Sequence, residues 1–479
     1  MENLIQLVKS LKKSEVSFIQ HYYKNDTNKK RLKLFDWILK GKVQTDEEAA
    51  NKLYGSKGPA YSQLKGRLTK DLMNLLLFEE GNRQSESDLF QKEVDVLRKY
   101  LQGKILLVRK VQNLGLKYLY EASEISKEYD LSLEKVLIDK IISIREGSRY
   151  GVTKYNEILS DIDDDIENLK QVAFAEKLYF NIALPNTFLK NNEKEYLRVA
   201  SLTMSKLEKI YVNNTSAKIG YYYYLIAINY YSIKKDFQKL YDFSKDFLEL
   251  VKNNKSINSK ARLVNAYMQV YAACMYINKY EEAFNQTINS LKYTVKGGAN
   301  ELTVYEYQFL AIIRFDSSKN IEEILLKVHN NKMLFASDFN TGKWIFYKAI
   351  YLFLGKKYTE ALTELQKENA LLKDKSGWLF GHKLLEIMCF IELEEFDMID
   401  FRIESLRKLL QQQKHKNITR IKTIFNILNT LVKTGYHFKK TYQKELEHFE
   451  SLKIAKDDYY WDPLGYEIIR FDTWFEHKV

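Results

Sequence analysis

Hydrophobic residues along the chain recur at the spacing of one helix face, and short polar stretches separate the resulting segments. In "GYYYYLIAINYYSIKKDF" (220–237), Tyr224 and Tyr231 are seven residues apart with Ala227 between them, so the three share one face. A platform that stacks on nucleic-acid bases would mix its aromatics with arginine and lysine. This stretch has no basic residue before Lys234. It therefore predicts a helix whose aromatics pack in the interior.

The predicted helices repeat with a period near 40 residues. In each pair, a short polar turn is followed by an aromatic or aliphatic residue that opens the second helix. The opening residues are Tyr155, Tyr196, Phe237, Tyr280, Ile321, Tyr358, Phe396 and Tyr436. Such regular recurrence predicts stacked helical hairpins, in which each pair contacts its neighbours instead of one central core.

These joints resemble the tetratricopeptide repeat. The best matches are "YKAIYLFLGKKYTEALTEL" (347–365) and "YMQVYAACMYINKYEEAFNQTI" (267–288), with Ala283 and Ala361 at the family's small position. The period exceeds the family's 34 residues, and the proline that usually ends each unit is missing. The resemblance covers roughly residues 140–450. It implies an all-α solenoid, a right-handed superhelix of TPR-like hairpins whose concave face binds a protein or peptide.

The family's register assigns a mainly apolar set of residues to the concave face. They are Tyr222, Leu225, Asn229, Met268, Met275, Phe346, Phe353 and Met388. Two interpretations stay open. Either these side chains anchor an amphipathic helix or an extended peptide, or neighbouring helices of a tight superhelix already fill the inner face.

Residues 1–80 do not follow the repeat and predict a distinct helical module, which leaves 81–479 for the solenoid and a C-terminal capping helix. Thr45 and Glu48 form a capping box, and Pro59 suits the first position of the next helix. A short helix, a tight turn and a long helix outline a helix-turn-helix. The candidate nucleic-acid contacts on the long helix are Lys65, Arg67 and Lys70. A capping or docking module is the alternative.

Composition agrees with helix almost throughout, because 479 residues include only 3 prolines and 18 glycines. Cys274 and Cys389 lie in apolar runs and are expected to be buried thiols. The seven histidines and the acidic run 161–165 complete no metal or calcium pattern. We therefore predict no catalytic residue, no cofactor and no metal, in a cytoplasmic protein without a membrane segment.

Charge adds one further candidate surface. The formal net charge of +12 permits an acidic partner without requiring one. Residues 407–425 include six basic residues, among them Arg420, and no acidic residue. This run is a candidate surface for phosphate or an acidic protein. The alternative is a solvated corner between helices.

The two ends, "LKKSEVSFIQHYYKN" and "YEIIRFDTWFEHKV", are similar to an uncharacterised bacterial family of helical-repeat proteins, and this similarity implies no activity. The leading hypothesis is a non-enzymatic scaffold that captures a protein or peptide on its concave face. The alternative is a transcriptional regulator, in which the N-terminal module binds DNA and the repeats sense a peptide.

Overall fold

A computed structural model describes residues 1–11, 13–24, 29–78, 88–184, 193–315, 321–367, 370–374, 377–411, 419–454 and 459–479. The secondary structure of these residues is helical, and they contain no strand. The chain divides into two compact units, Met1–Gln84 and Ser85–Val479.

Five helices form the first unit around a small apolar core. They are α1 (Glu2–Ser10), α2 (Lys13–Lys24), α3 (Lys29–Leu39), α4 (Asp46–Tyr54) and α5 (Pro59–Phe78). The predicted capping box is confirmed: the Thr45 hydroxyl accepts from the backbone N–H of Glu48, and the Glu48 carboxylate accepts from the backbone N–H of Thr45. Gly55 ends α4 at a φ of 81°, a left-handed conformation that glycine adopts without steric cost.

The described part of the second unit contains nineteen α-helices, and consecutive helices pack against each other. They are α6 (Asp88–Val108), α7 (Gln112–Glu128), α8 (Ser132–Tyr150), α9 (Val152–Ala183), α10 (Glu193–Asn213), α11 (Ala217–Ile233), α12 (Phe237–Asn253), α13 (Lys260–Tyr276), α14 (Tyr280–Leu291), α15 (Ala299–Phe315), α16 (Ile321–His329), α17 (Asp338–Leu354), α18 (Tyr358–Leu365), α19 (Trp378–Glu392), α20 (Phe396–Gln411), α21 (Thr419–Lys433), α22 (Phe438–Lys444), α23 (Leu446–Leu452) and α24 (Phe471–Glu476). Short 3₁₀ helices span Lys332–Ala336 and Ala370–Lys373. This succession is compatible with a solenoid.

Five of the predicted opening residues are the first residues of their helices. They are Phe237, Tyr280, Ile321, Tyr358 and Phe396. Tyr155 and Tyr196 lie within the first turns of α9 and α10, and Tyr436 precedes α22 by two residues. The repeat read from the sequence therefore corresponds to the helix boundaries of the structure.

One turn geometry recurs at these joints. A residue in the left-handed conformation stands two positions before the next helix, as at Lys235 (φ 57°), Asn278 (φ 62°), Lys356 (φ 60°) and Glu394 (φ 57°). The residue after it donates its backbone N–H to a carbonyl five residues back, a Schellman pattern that satisfies the ends of the preceding helix. The joints thus reverse the chain without glycine at the left-handed position.

The tyrosine-rich stretch forms α11, and its aromatics pack between helices as predicted. Tyr231 and Ala227 are buried, whereas Tyr224 is half-buried against Phe243 and Phe247. Its neighbour Tyr223 takes the more deeply buried place. The sequence therefore predicted a core helix correctly, but it placed one tyrosine deeper than the structure does.

Candidate peptide-binding site

The eight residues assigned to the concave face differ widely in exposure. Leu225, Met275, Phe346, Phe353 and Met388 are buried, Tyr222 and Met268 are half-buried, and Asn229 is exposed. Burial raises the pKa of Tyr222 to about 12, and its ring packs 5.3 Å from that of Tyr179. A partner can therefore reach only three of the eight without a rearrangement. The five buried side chains match the interpretation in which neighbouring helices fill the inner face.

The candidate DNA contacts of α5 do not form one exposed set. Lys65 donates to Asp46 at 2.9 Å, and Asp46 also accepts from the hydroxyl of Tyr61 at 2.8 Å. Partial burial alone would raise the pKa of Asp46, but hydrogen bonds from Lys65, Tyr61 and the amino terminus outweigh it and bring the pKa to about 2. Lys65 thus ties α5 to α4. Arg67 and Lys70 are exposed.

A second surface involves the stretch that precedes α24, residues 459–470, here called the C-terminal segment. The ring of Tyr460 lies 5.4 Å from that of Phe237 and 6.5 Å from that of Tyr276. Phe237 and Tyr276 stack on each other at 4.5 Å with an interplanar angle of 9°. The ammonium of Lys235 lies 5.2 Å from the centre of the Tyr460 ring. Residues far apart in sequence therefore form one aromatic cluster at the α11–α12 turn.

The next residue of the C-terminal segment, Trp461, lies over the half-buried Arg314. The guanidinium of Arg314, near the end of α15, lies 4.6 Å from the Trp461 ring, and that of Arg470 lies 5.5 Å from it. The indole N–H donates to the main-chain oxygen of Glu467 at 2.9 Å. Trp461 is thus held by its own segment while its ring faces two cations.

Further along, the main chain of the C-terminal segment touches α19 directly. The carbonyl oxygen of Tyr466 lies against Gly381, in the space that a Cβ would fill. The ring of Tyr466 also packs 6.3 Å from that of Phe380. This approach requires glycine, because any other residue would collide with backbone rather than with a flexible side chain.

Arg420 anchors the far end of the C-terminal segment in the interior. Its guanidinium donates to Glu467 at 2.6 and 2.8 Å and to Asp472 at 2.9 Å. It also donates to the main-chain oxygens of Leu452 (2.7 Å) and Tyr459 (3.1 Å). Arg420, Glu467 and Asp472 are all buried. Arg420 of the basic run is therefore not available to phosphate or an acidic partner, which corrects the interpretation at that residue, whereas Lys408 and Lys422 are exposed. Residues 412–418 of the run lie outside the described residues.

Helix α24 closes the end of the second unit that α22 and α23 form. Phe475 packs 5.0 Å from both Phe438 and Phe449. The indole of Trp474 donates to Glu392 at 2.7 Å. These contacts hold α24 in the core. The C-terminal segment is therefore anchored at the end that leads into α24.

The sequence contained an unused signal for this site. Tyr459, Tyr460 and Trp461 stand directly before Asp-Pro-Leu-Gly, and Pro463 is one of three prolines in the chain. An aromatic cluster in a non-helical stretch of an otherwise helical protein indicates that the aromatics pack against something other than their own helix. The surface that receives them was not visible, because it belongs to residues far away in the sequence.

Neither the two cysteines nor the acidic and histidine side chains of the described residues form a recognisable catalytic or metal-binding site. Cys274 and Cys389 are buried, and burial raises the pKa of each thiol to about 12. Within the described ranges, no group of three or more histidine, cysteine, aspartate or glutamate side chains is arranged to hold a metal ion. In the same ranges, no helix combines the length and apolar character needed to cross a membrane.

No protein-family model matches the chain, and no curated protein matches it.

Proposed function

We propose that the second unit is a non-enzymatic, TPR-like scaffold that captures an extended segment of a partner protein. One observation carries this proposal: the helices already hold a largely non-helical stretch of polypeptide, the C-terminal segment, which turns at Asp462–Gly465. Tyr460 enters the aromatic cluster of Phe237 and Tyr276, and the main chain at Tyr466 approaches Gly381 closely. A partner segment with an aromatic residue would use the same features.

The mechanism is burial of aromatic surface on helices that are already formed. Preformed helices lose little conformational entropy on binding, so more of the contact energy appears as affinity. The chain's own segment competes, because a tethered ligand acts at an effective concentration in the millimolar range. The partner therefore binds well only if it contacts the surface better than residues 459–461 do.

A labelled peptide tests this proposal. A fluorescent peptide with the sequence of residues 459–470 is titrated into wild-type protein and into a variant carrying Tyr460→Ala and Trp461→Ala. We expect the variant to bind the peptide and the wild type to bind it far more weakly, since its own segment occupies the site. Failure of a folded variant to bind would remove the proposal.

The second unit offers a matched control for the receiving surface. The rings of Phe396 and Tyr436 lie 4.2 Å apart with an interplanar angle of 34° at the corresponding joint of another hairpin, and neither ring contacts that of Tyr460. Adding Phe237→Ala to the double variant should abolish peptide binding, whereas adding Phe396→Ala should not. An equal loss of peptide binding in the two triple variants would mean that the substitutions act by destabilising the fold.

A specific observation also supports DNA binding by the first unit as a second candidate function. Arg67 and Lys70 are exposed on α5, on one face with the exposed Gln63. We expect micromolar binding of random duplex DNA, measured by fluorescence anisotropy, that weakens steeply with salt. Arg67→Glu with Lys70→Glu should abolish it, and Lys40→Glu with Lys42→Glu, an exposed pair on the same unit, should leave most of it. No binding at low salt would exclude this function.

A further inference from the structure

Arg314 is half-buried as a whole, but most of its guanidinium is enclosed, and no carboxylate among the described residues forms an ion pair with it. Its Nε and Nη2 are inaccessible to solvent and have no hydrogen-bond partner among the residues that the structure describes. Burial lowers its pKa to about 10, so the guanidinium is still charged at neutral pH. An uncompensated buried charge is costly, and proteins ordinarily pair it with a carboxylate.

Two other arginines of the second unit, the buried Arg420 and the half-buried Arg402, have such a carboxylate. Arg420 is surrounded by Glu467 and Asp472, and Arg402 donates to Glu386 at 3.1 Å. The carboxylate that acts electrostatically on Arg314 is that of Glu467, whose two oxygens already accept from Arg420. Arg314 therefore departs from the arrangement that the same fold uses elsewhere.

The surroundings of Arg314 suit an anion. On one side lies the Trp461 indole, 4.6 Å away, with the guanidinium of Arg470 beyond it. Arg470 is paired with Asp472 at 2.8 Å, so it adds positive potential that is partly compensated. The hydroxyl of Tyr271 is also buried without a described partner, and the charge of Arg314 acts on it electrostatically. Two sets of unused donors thus influence each other electrostatically, and the set on Arg314 lies against the Trp461 ring.

We propose that Arg314 binds a carboxylate side chain of the partner's extended segment, with the Tyr271 hydroxyl as a nearby second donor. This inference rests on the proposed function, because it names the chemistry of the segment that replaces residues 459–461. The chain's own segment presents Trp461 to Arg314, an aromatic face instead of an acid. A partner with aspartate or glutamate at this position gains a charge-assisted hydrogen bond that the tethered competitor does not make.

Two peptides separate this inference from the function on which it rests. One has the sequence of residues 459–470, and the other is identical except for Trp461→Glu. Both are titrated into the Tyr460→Ala, Trp461→Ala variant. We expect the glutamate peptide to bind roughly tenfold more tightly, the gain that a hydrogen bond to a charged group provides. We expect that advantage to disappear when Arg314→Met is added.

The possible outcomes are distinct. Binding of neither peptide removes the proposed function. Equal binding of both, or an advantage of the glutamate peptide that survives Arg314→Met, overturns the carboxylate site and leaves the scaffold. Arg149→Met is the control, since Arg149 also lies over an aromatic ring, that of Tyr150, but is exposed.

Thermal unfolding keeps the inference testable if the added substitution disturbs the fold. The midpoint of the Tyr460→Ala, Trp461→Ala variant is measured with acetate, with inorganic phosphate and with chloride at equal ionic strength. A rise with acetate that Arg314→Met removes supports a carboxylate site. A rise with phosphate alone assigns the site to free phosphate and overturns the peptide carboxylate. No rise with either anion also counts against the inference.

Discussion

The carbonyl oxygen of Tyr466 occupies the space into which a side chain on Gly381 would project. The obstacle is main chain, so it cannot rotate away. We expect Gly381→Ala to lower the free energy of unfolding by about 1–3 kcal/mol, the usual cost of overpacking. Urea denaturation checks the value, and limited proteolysis should show faster cleavage near residues 459–470. Gly355→Ala is the control, because a Cβ there meets carbonyl oxygens only at an ordinary 3.5 Å.

The buried ion cluster around Arg420 should be the most sensitive electrostatic feature of the second unit. Arg420→Met leaves the buried carboxylate of Glu467 without its hydrogen-bonded cation, whereas Asp472 keeps Arg470. We expect a loss of about 3–5 kcal/mol in urea denaturation. Arg407 makes a similar two-bond pair with Glu404, but both side chains are more than two-fifths exposed, so Arg407→Met should cost far less. Similar losses at both sites would contradict the importance of burial.

The left-handed residues of the repeated turns offer a way to stabilise the protein. Lys356 and Glu394 hold φ near +60°, a conformation that costs a residue with a Cβ roughly 1–2 kcal/mol. Replacing either with glycine should therefore raise the free energy of unfolding, by about 1 kcal/mol after glycine's greater freedom in the unfolded chain is counted. Asn278→Gly should gain less, since asparagine tolerates this region better. Destabilisation by Lys356→Gly would show that its side chain has another role.

His382 should make stability depend on pH in the mildly acidic range. Burial lowers its pKa, Lys383 and Arg402 add to that effect, and the ring lies 2.8 Å from the carbonyl oxygen of Leu365, which opposes it. The unfolded chain then takes up a proton at a higher pH than the folded protein does. Stability is fully present above the unfolded pKa of about 6.5 and falls as pH drops below it.

Urea denaturation between pH 7.5 and pH 5 measures this dependence. His382→Gln should flatten the curve over that interval, because glutamine can still donate to the Leu365 carbonyl but does not titrate. His329→Gln, at an exposed position, should leave the curve unchanged. An unaltered slope in the His382 variant would refute the assignment.

The sequence predicted local features well because local interactions determine them. The openings at Phe237, Tyr280 and Tyr358 follow from residues within one turn of the joint. The capping box of Thr45 and Glu48 is equally local. These features need no knowledge of which helix packs on which.

Features that join distant parts of the chain were not predictable from patterns. Lys65 is of a residue type that contacts DNA. In the structure, however, it forms an ion pair with Asp46, which lies on another helix. Arg420 belongs to a basic run, yet its acids Glu467 and Asp472 come from the end of the chain. A charge pattern in the sequence shows which charged side chains are present, whereas the tertiary structure determines which of them form ion pairs.

The contact between Phe237 and Tyr460 has a consequence for synthesis, because nearly half of the chain separates the two residues. A ribosome adds about 5–20 residues per second, so Phe237 emerges roughly ten to forty seconds before Tyr460 exists. Once Tyr276 has emerged as well, and until Tyr460 is made, the nascent helices expose the Phe237–Tyr276 stack with no tethered competitor beside it. A partner present at the ribosome therefore encounters the surface first, and the protein is most open to capture before its own translation has ended.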